Sequence, residues 1–204
     1  MGFYDRHILP RLINCACGVG PVSQQRAKVV PAARGTILEV GMGSGLNLPF
    51  YAPARVDKVW GLEPSADMRK LAAERVAAAP FEVEFIDLPG EAIPLEDQSV
   101  DTVLLTYTLC TIPDPAAALQ QMHRVLKPEG QLIFCEHGEA PDAAVRRWQA
   151  RVNPFWCKIA GGCNLHRPIP ALLEANGFHI DSLDSRYLPG TPRIAGFNYW
   201  GVAR

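Results

Sequence analysis

The sequence predicts an α/β fold with a doubly wound, seven-stranded sheet that is mostly parallel and ends in an antiparallel C-terminal hairpin. Short apolar runs alternate with longer helical patterns along the 204 residues, which is typical of βαβ units around a parallel sheet. A glycine-rich turn follows the first predicted strand, as it does at the ligand-binding edge of such sheets. The last two predicted strands have no predicted helix between them, and strands joined in this way pair most easily as antiparallel neighbours.

The individual elements follow from hydrophobic periodicity and turn residues. Strands are predicted at 36–40, 56–62, 81–86, 101–106, 131–136, 178–187 and 195–203, as five βα steps and a hairpin. Helices are predicted at 65–79, 115–126, 140–159 and 169–176, with a short helix at 46–51, two helical pieces before residue 33 and a turn at 127–130. Pro154 is expected to kink or end its helix, and Gly177 to close the next one. We predict one domain over 1–204, with 1–33 as a helical cap and 140–168 as a helix and loop on the substrate side.

Composition and charge exclude several functions. The formal net charge is −1, whereas nucleic-acid binders usually carry a basic excess. No apolar run approaches the twenty residues of a transmembrane helix, and Asp5, Arg6 and His7 do not suit a signal peptide. We therefore expect a cytoplasmic protein with no integral membrane segment and no nucleic-acid partner; peripheral membrane contact is left open.

The six cysteines are expected to be free thiols, as in most cytosolic proteins of this size. Cys15 and Cys17 are separated by one residue and have no partnering pair at the spacing of a zinc finger. The sequence therefore predicts no metal site.

The strongest local signal is the turn at 41–45, with glycines at 41, 43 and 45. Glycine lets a ligand approach the backbone closely because no Cβ lies in the way. Glu63 ends the second predicted strand, where a carboxylate can accept hydrogen bonds from both ribose hydroxyls of an adenosine. Together the turn and the acid predict a nucleoside ligand.

As an ordered set, these motifs resemble those of the class I S-adenosylmethionine-dependent methyltransferases. The set comprises an acid and three glycines at 39–45, Glu63, and the segments 90–95, 99–101 and 125–130. The resemblance covers about residues 30–204. It implies a Rossmann-like methyltransferase domain, S-adenosyl-L-methionine as the cofactor and a small molecule as the methyl acceptor.

The resemblance also implies a cofactor site. Glu39 and the glycine turn would hold the methionine end, Glu63 the ribose, and Gly90, Glu91 and Ala92 the adenine, with Thr106 and Tyr107 near the methyl group. The full predicted cofactor set is Glu39, Gly41, Gly43, Gly45, Asn47, Glu63, Pro64, Met68, Gly90, Glu91, Ala92 and Thr106. Many relatives carry an aspartate at the position of Pro89, so the adenine amino group would here be bound by backbone or by Glu91.

Downstream, the segments 109–112, 136–137 and 162–165 are similar to those of the methyltransferase-like seven proteins. Those proteins are thiol S-methyltransferases with an N-terminal apolar membrane helix, which is not expected here. The resemblance implies in-line methyl transfer to a small thiol.

Candidate acceptor-site residues follow the fourth and fifth predicted strands or belong to the substrate-side helix and loop. His137 is a candidate general base, because imidazole has a reference pKa about 2 units below that of a thiol, and Tyr107 is the second catalytic candidate. The predicted substrate-binding residues are Cys110, Trp156, Asn164 and His166. Cys110 and Cys163 would hold an acceptor or a soft metalloid, or pack as small core residues. The substrate-side helix carries three aromatic residues, Trp148, Phe155 and Trp156. Their side chains are expected either to form a lid on an apolar pocket or to face the core.

Three other functions are weighed against thiol methylation. One is N- or C-methylation of a phospholipid head group, a quinone precursor or another small molecule, since such enzymes share the first half of the pattern. A nicotinamide oxidoreductase is disfavoured because Leu46 occupies the place of the third dinucleotide glycine. A non-catalytic module that binds S-adenosylmethionine is disfavoured by the intact-looking pocket.

Overall fold

The fold is a seven-stranded sheet with helices on its faces. The computed structural model describes residue 4 and residues 8–204; predictions for 1–3 and 5–7, which belong to the expected cap, lie outside the described residues. The strands are β1 (Gly35–Val40), β2 (Val56–Leu62), β3 (Glu82–Ile86), β4 (Val100–Thr106), β5 (Leu126–His137), β6 (Ile180–Tyr187) and β7 (Phe197–Ala203). The helices are α1 (Leu9–Cys17), α2 (Gly20–Val29), α3 (Ala66–Ala77), α4 (Pro115–Val125), α5 (Ala143–Ile159), α6 (Ile169–Ala175) and α7 (Arg193–Gly196).

The strand order is β3-β2-β1-β4-β5-β7-β6, and the first five strands are parallel. β7 lies between β5 and β6 and is antiparallel to both. The predicted fold class is therefore confirmed. Because β1 lies between β2 and β4, the chain leaves β1 on one side of the sheet and returns on the other, and ligands of open α/β sheets bind at this switch point.

The core forms two layers, one on each face of the sheet. Alternate residues of a strand point to opposite faces, so the central strands contribute to both layers. In β1, Leu38 packs with the layer that includes α4 and α6, whereas Ile37 packs with the layer that includes the end of α2. Burial on both faces explains why the central strands read as continuous apolar runs.

Two of the helices begin at capping side chains. Ser65 accepts a hydrogen bond from the Met68 N–H at the start of α3, and Asp114 accepts one from the Ala117 N–H at the start of α4. Gly177 has a φ of +92° just beyond α6, as expected for a helix-closing glycine. Among the described residues, no helix combines the length and apolar character needed to cross a bilayer.

Three local predictions differ from the structure. Residues 87–99 connect β3 to β4 without a helix, so the third of the five predicted βα steps lacks one. Residues 46–51 contain only a 3-10 turn, Leu48–Phe50. The short α7 lies between the last two strands, where no helix was expected. The helix α5 reaches Ile159, as its predicted range did, so Pro154 does not end it.

The predicted turn at 127–130 lies inside β5. Val100 pairs with Leu126 whereas Thr102 pairs with Gln131, so the turn interrupts the ladder between β4 and β5. Pro128 and Gly130 suit such an irregularity, because proline cannot donate a hydrogen bond and glycine is permissive.

Candidate active site

Two adjoining cavities lie at the carboxyl edge of the sheet. The smaller, of about 180 Å³, lies beside the ends of β1 and β2. The larger, of about 470 Å³, lies beyond the ends of β4 and β5. Thr111 lines both cavities, so the two are neighbours.

The smaller cavity collects part of the predicted cofactor set. Its lining comprises Val40, Gly41, Leu62, Glu63, Pro64, Pro89, Gly90, Glu91, Thr108, Thr111, Ile112 and Pro113. The Glu63 carboxylate accepts hydrogen bonds from the Gly43 N–H (2.9 Å) and the Ser65 N–H (2.8 Å), which fixes its orientation. Burial is the largest cause of the raised pKa of Glu63. A carboxylate has about four acceptor sites, so Glu63 keeps capacity for a ligand.

Glu91 has an unpaired acceptor at this cavity. Its Oε1 accepts a hydrogen bond from the Asp114 N–H, whereas its buried Oε2 has no partner among the described residues. A buried polar atom without a partner is rare in proteins and points to a missing donor. The amino group of an adenine supplies such a donor, so the residues present fit the predicted cofactor.

The glycine turn has the backbone conformation that its sequence predicts. Gly41, Gly43 and Gly45 all have positive φ angles, of 69°, 58° and 75°. A Cβ on Gly41 would lie 2.2 Å from the Thr108 side chain, so a larger residue would collide with the loop after β4. The turn is therefore set both by dihedral angles and by packing.

Behind the turn, several of the predicted cofactor residues belong to a buried polar network. Glu39 accepts hydrogen bonds from Asn47 Nδ2 (2.9 Å) and the Tyr51 hydroxyl (2.6 Å), and burial raises its pKa. Asn47 Nδ2 also donates to Thr106 Oγ1. Predicted cofactor residues that do not line the smaller cavity are Glu39, Gly43, Gly45, Asn47, Met68, Ala92 and Thr106.

Sequence reasoning missed Arg26. This residue of α2 is 5% exposed, and its Nη1 donates to Asn47 Oδ1 (2.6 Å) and Thr106 Oγ1 (2.8 Å). Its buried Nε has no partner among the described residues. α2 has no clear apolar face, and Arg26 belongs to no motif. Buried arginines are rare, so burial is the signal that identifies Arg26 as a functional candidate, and burial is visible only in the structure.

The larger cavity is enclosed by segments distant in sequence. Its lining comprises Ile13, Ala16, Cys17, Val19, Pro21, Val22, Tyr107, Cys110, Thr111, His137, Trp156, Ala160, Cys163, Leu165, Leu188, Gly190, Thr191, Pro192, Ala195, Gly196 and Asn198. Residues of α1 and α2 thus line it on one side, and the segment before β7 lines it on another. Most of these side chains are apolar, so the cavity suits an apolar ligand.

Cys110, His137 and Cys163 form a cluster in this cavity, which we call the thiol–imidazole cluster. Cys163 Sγ lies 3.3 Å from His137 Nε2, and the two sulfurs and this imidazole offer ligand atoms within 4.8 Å of one another. Hydrogen bonds from Cys110 and His137 lower the pKa of Cys163 to about 4 despite its burial. Burial alone lowers the pKa of His137, but the contact with Cys163 outweighs it, and the pKa is raised.

Tyr107 lies at the junction of the sheet and the larger cavity. Its φ is 55°, an unusual value for a residue with a side chain, and such strain is concentrated at functional sites. Its hydroxyl donates to Asn198 Oδ1 (2.8 Å), and burial raises its pKa far above the ordinary value. The hydroxyl therefore stays protonated and acts as a hydrogen-bonding group, not as a proton acceptor.

Other predicted acceptor residues hold the loops instead of lining the cavity. Asn164 Nδ2 donates to Cys110 O and Gly162 O, and its Oδ1 accepts from Asn153. Asn164 and His166 are not among the residues that line either cavity in the described part of the chain. Asn164 instead ties the segment of Cys110 to that of Cys163.

Of the three aromatic residues considered as a lid, only Trp156 lines the larger cavity. Trp148 is 57% exposed and Phe155 is 66% exposed, so these two neither cover the cavity nor pack in the core. The periodicity of α5 does not distinguish the helix face that turns to the cavity from the one that turns to solvent.

Comparisons with known proteins identify the family of the chain. A family described as a methyltransferase domain matches residues 38–134. The thiol S-methyltransferase TMT1B of Rattus norvegicus is 34% identical over 171 residues, which cover 79% of this chain and 69% of that protein. The phosphatidylethanolamine N-methyltransferase of Cereibacter sphaeroides is 32% identical over 63% of this chain and 64% of its own length.

The fold also matches solved structures. A putative methyltransferase from Bacillus halodurans superimposes with a TM-score of 0.69 at 18% identity, covering 90% of this chain and 97% of the other. These relationships leave no support for the oxidoreductase and non-catalytic alternatives. The chain belongs to the class I S-adenosylmethionine-dependent methyltransferases, is similar to the thiol S-methyltransferases among them, and has S-adenosylmethionine as its cofactor.

Proposed function

We propose that this methyltransferase acts on a small, largely apolar thiol. The observation that carries the proposal is the thiol–imidazole cluster, which lines an apolar cavity of about 470 Å³ next to the candidate cofactor site. A neighbouring imidazolium lowers the pKa of a thiol and so favours the thiolate, which is the nucleophilic form. The similarity to thiol S-methyltransferases supports the same acceptor class.

The cofactor is proposed to bind along the line from the smaller cavity to Tyr107. When bound, S-adenosylmethionine supplies an electrophilic methyl group. Glu63 would accept hydrogen bonds from the ribose hydroxyls, and the free Oε2 of Glu91 would accept one from the adenine amino group. Arg26 would pair with the carboxylate of the methionine end, and Glu39 would act through Asn47 as a positioning residue.

The protein's main contribution to the reaction would be alignment of the acceptor. Holding two reactants in line supplies much of the rate enhancement when no covalent intermediate is needed. Residues of α1, α2 and α5 line the cavity and would exclude water, which supports the proposal that 1–33 caps the site within a single domain. The Tyr107 hydroxyl would orient the acceptor. General-base catalysis by His137 and the cytoplasmic location stay predictions.

The test is release of S-adenosylhomocysteine by purified protein across a panel of small thiols, with amine, phenol and lipid acceptors alongside. We expect turnover with apolar thiols and loss of turnover in Glu63→Ala. Turnover only with a phospholipid head group or a quinone precursor would replace the thiol proposal by N- or C-methylation, the alternative that the similarity to the phosphatidylethanolamine enzyme suggests.

A further inference from the structure

We infer that the thiol–imidazole cluster is a metal site, in which Cys110, His137 and Cys163 bind one soft divalent cation such as Zn²⁺. The cation would keep an open position facing the larger cavity, and the sulfur of the methyl acceptor would bind there. Metal binding depends on the cluster alone. Binding of the acceptor sulfur at the open position rests on the proposed function, because it needs a thiol acceptor.

The distances suit a tetrahedral zinc ion. Zn–S bonds of about 2.3 Å and Zn–N bonds of about 2.0–2.1 Å place two tetrahedral ligand atoms about 3.5–3.8 Å apart. Cys163 Sγ lies 3.3 Å from His137 Nε2, and Cys110 completes a group whose ligand atoms all lie within 4.8 Å of one another. Side-chain shifts of less than about 1 Å would complete three coordination bonds of this length.

The surroundings hold the loops of Cys110 and Cys163 in place. Glu136 Oε1 accepts from the N–H groups of Thr108 and Leu109, which precede Cys110 in the loop after β4. The backbone N–H and the side-chain amide of Asn164 both donate to Cys110 O, so the loop of Cys163 is tied to that of Cys110. A site whose ligands are held before the ion arrives loses little conformational entropy on binding.

The ligand set leaves a coordination position free. The thiol of Cys157 donates to Cys163 O and Asn164 Oδ1, and Cys157 does not line the cavity, so it is not a fourth ligand. Three protein ligands with one open position are the pattern of catalytic zinc sites, whereas structural sites are closed by four. Two thiolates and a neutral imidazole would also neutralise the charge of the cation in this apolar cavity.

The open position gives the acceptor a way to lose its proton. An acceptor thiol that binds the cation in place of hydroxide transfers its proton to that hydroxide, which leaves as water, and stays as a bound thiolate. The thiolate sulfur then forms a bond to the methyl carbon while the bond from that carbon to the sulfonium sulfur breaks. The products are a neutral thioether, which is a weak ligand and dissociates, and S-adenosylhomocysteine.

Metal binding is tested first, without any acceptor. The chelator-treated full chain is reconstituted with Zn²⁺ or Co²⁺, and bound metal is counted by elemental analysis. We expect one ion per chain, and for cobalt the visible bands of a tetrahedral site with thiolate-to-metal charge transfer. Cys110→Ser and Cys163→Ser should each weaken zinc binding at least tenfold, whereas Cys15→Ser, which changes an exposed thiol outside the cluster, should bind as the unmodified chain does.

The cobalt spectrum of the unmodified chain keeps the test independent of how the variants fold. Absence of charge-transfer bands, or binding that Cys110→Ser and Cys163→Ser leave intact, would overturn the metal site. Addition of an acceptor thiol should change the bands as a further sulfur binds, and an unchanged spectrum with a thiol that is turned over would overturn the open position.

Activity then separates this inference from the proposed function. Chelator treatment should lower thiol methylation at least tenfold, and added Zn²⁺ should restore it. Full activity of metal-free protein on thiols would refute binding of the acceptor sulfur to the cation and leave the proposed function standing, with His137 as candidate base. One bound ion together with activity only on amines would support the site and refute the thiol proposal.

Discussion

Arg26 offers the sharpest test of the cofactor site, because it lies outside every motif. Arg26→Met keeps an unbranched apolar stem but removes the donors to Asn47 and Thr106, at 2.6 and 2.8 Å. A buried hydrogen bond from a charged group contributes about 1.5–3 kcal/mol, so the two together contribute about 3–6 kcal/mol to stability before packing by methionine offsets part of this. Arg26→Lys keeps the charge but not the planar fork of donors. Its free energy of unfolding should therefore lie between those of the unmodified chain and Arg26→Met.

The same residue should set the affinity for the methionine end of the cofactor. Loss of one charge-assisted contact of about 1.5–3 kcal/mol weakens binding about 10- to 150-fold. Calorimetric titration would compare S-adenosylmethionine with 5′-methylthioadenosine, which has no carboxylate. Arg26→Met should lose affinity for the first and little for the second, while Arg151→Met, on the exposed face of α5, should change neither.

A contact between Arg26 and the cofactor carboxylate is refuted if Arg26→Met binds S-adenosylmethionine as tightly as the unmodified chain does. An equal loss of affinity for both ligands also refutes it, because Arg26 would then only maintain the fold. Thermal unfolding of each variant, measured alongside, shows whether the protein titrated is folded.

Three further changes test other parts of the site. Gly41→Ala puts a Cβ 2.2 Å from the Thr108 side chain at a φ of 69°. It should lower the free energy of unfolding by about 1–3 kcal/mol and abolish cofactor binding. The control Gly20→Ala, with open space around its Cβ, should leave thermal unfolding unchanged. Tyr107→Phe removes the hydrogen bond to Asn198 and should lower kcat about tenfold or more without moving the pH profile; a shifted profile would mean that the hydroxyl titrates. Trp156→Ala enlarges the larger cavity and should favour bulkier acceptors in competition assays, and an unchanged preference would place the acceptor away from this wall.

The cofactor half of the site could largely be predicted from the sequence, because it is built locally. A strand, a glycine turn and an acid at the end of the next strand must meet at one edge of a parallel sheet, so Gly41 and Glu63 were identified by spacing alone. The sequence could not show that Glu39 bonds to Asn47 and Tyr51, since that depends on how the turn packs.

The acceptor half could be predicted only in part, because its walls come from five separate stretches of chain. His137 follows a strand end and was identified for that reason, and Cys110 lies in a segment that resembles the thiol S-methyltransferases. Cys17 and Leu188, by contrast, line the cavity without any motif around them. The same limit explains why Asn164 was expected to touch the acceptor: a polar residue in a glycine-rich loop looks the same in sequence whether it faces the cavity or ties two loops together.

The cofactor site and the acceptor cavity are built largely from different segments of the chain, which bears on how the acceptor is selected. Residues that would hold the cofactor belong to the ends of β1 and β2, the turns after them and the segments that flank β4. Changes to α1, α2 or the segment before β7 can therefore reshape the larger cavity without disturbing Glu63 or the glycine turn. Arg26 is the exception, because its helix lines the acceptor cavity while its guanidinium bonds to Asn47 and Thr106 behind the cofactor turn. Binding of the cofactor should therefore order α2 over the acceptor cavity. The acceptor should then bind more tightly to the protein with bound cofactor than to the protein without it, as linkage between two sites on one helix requires.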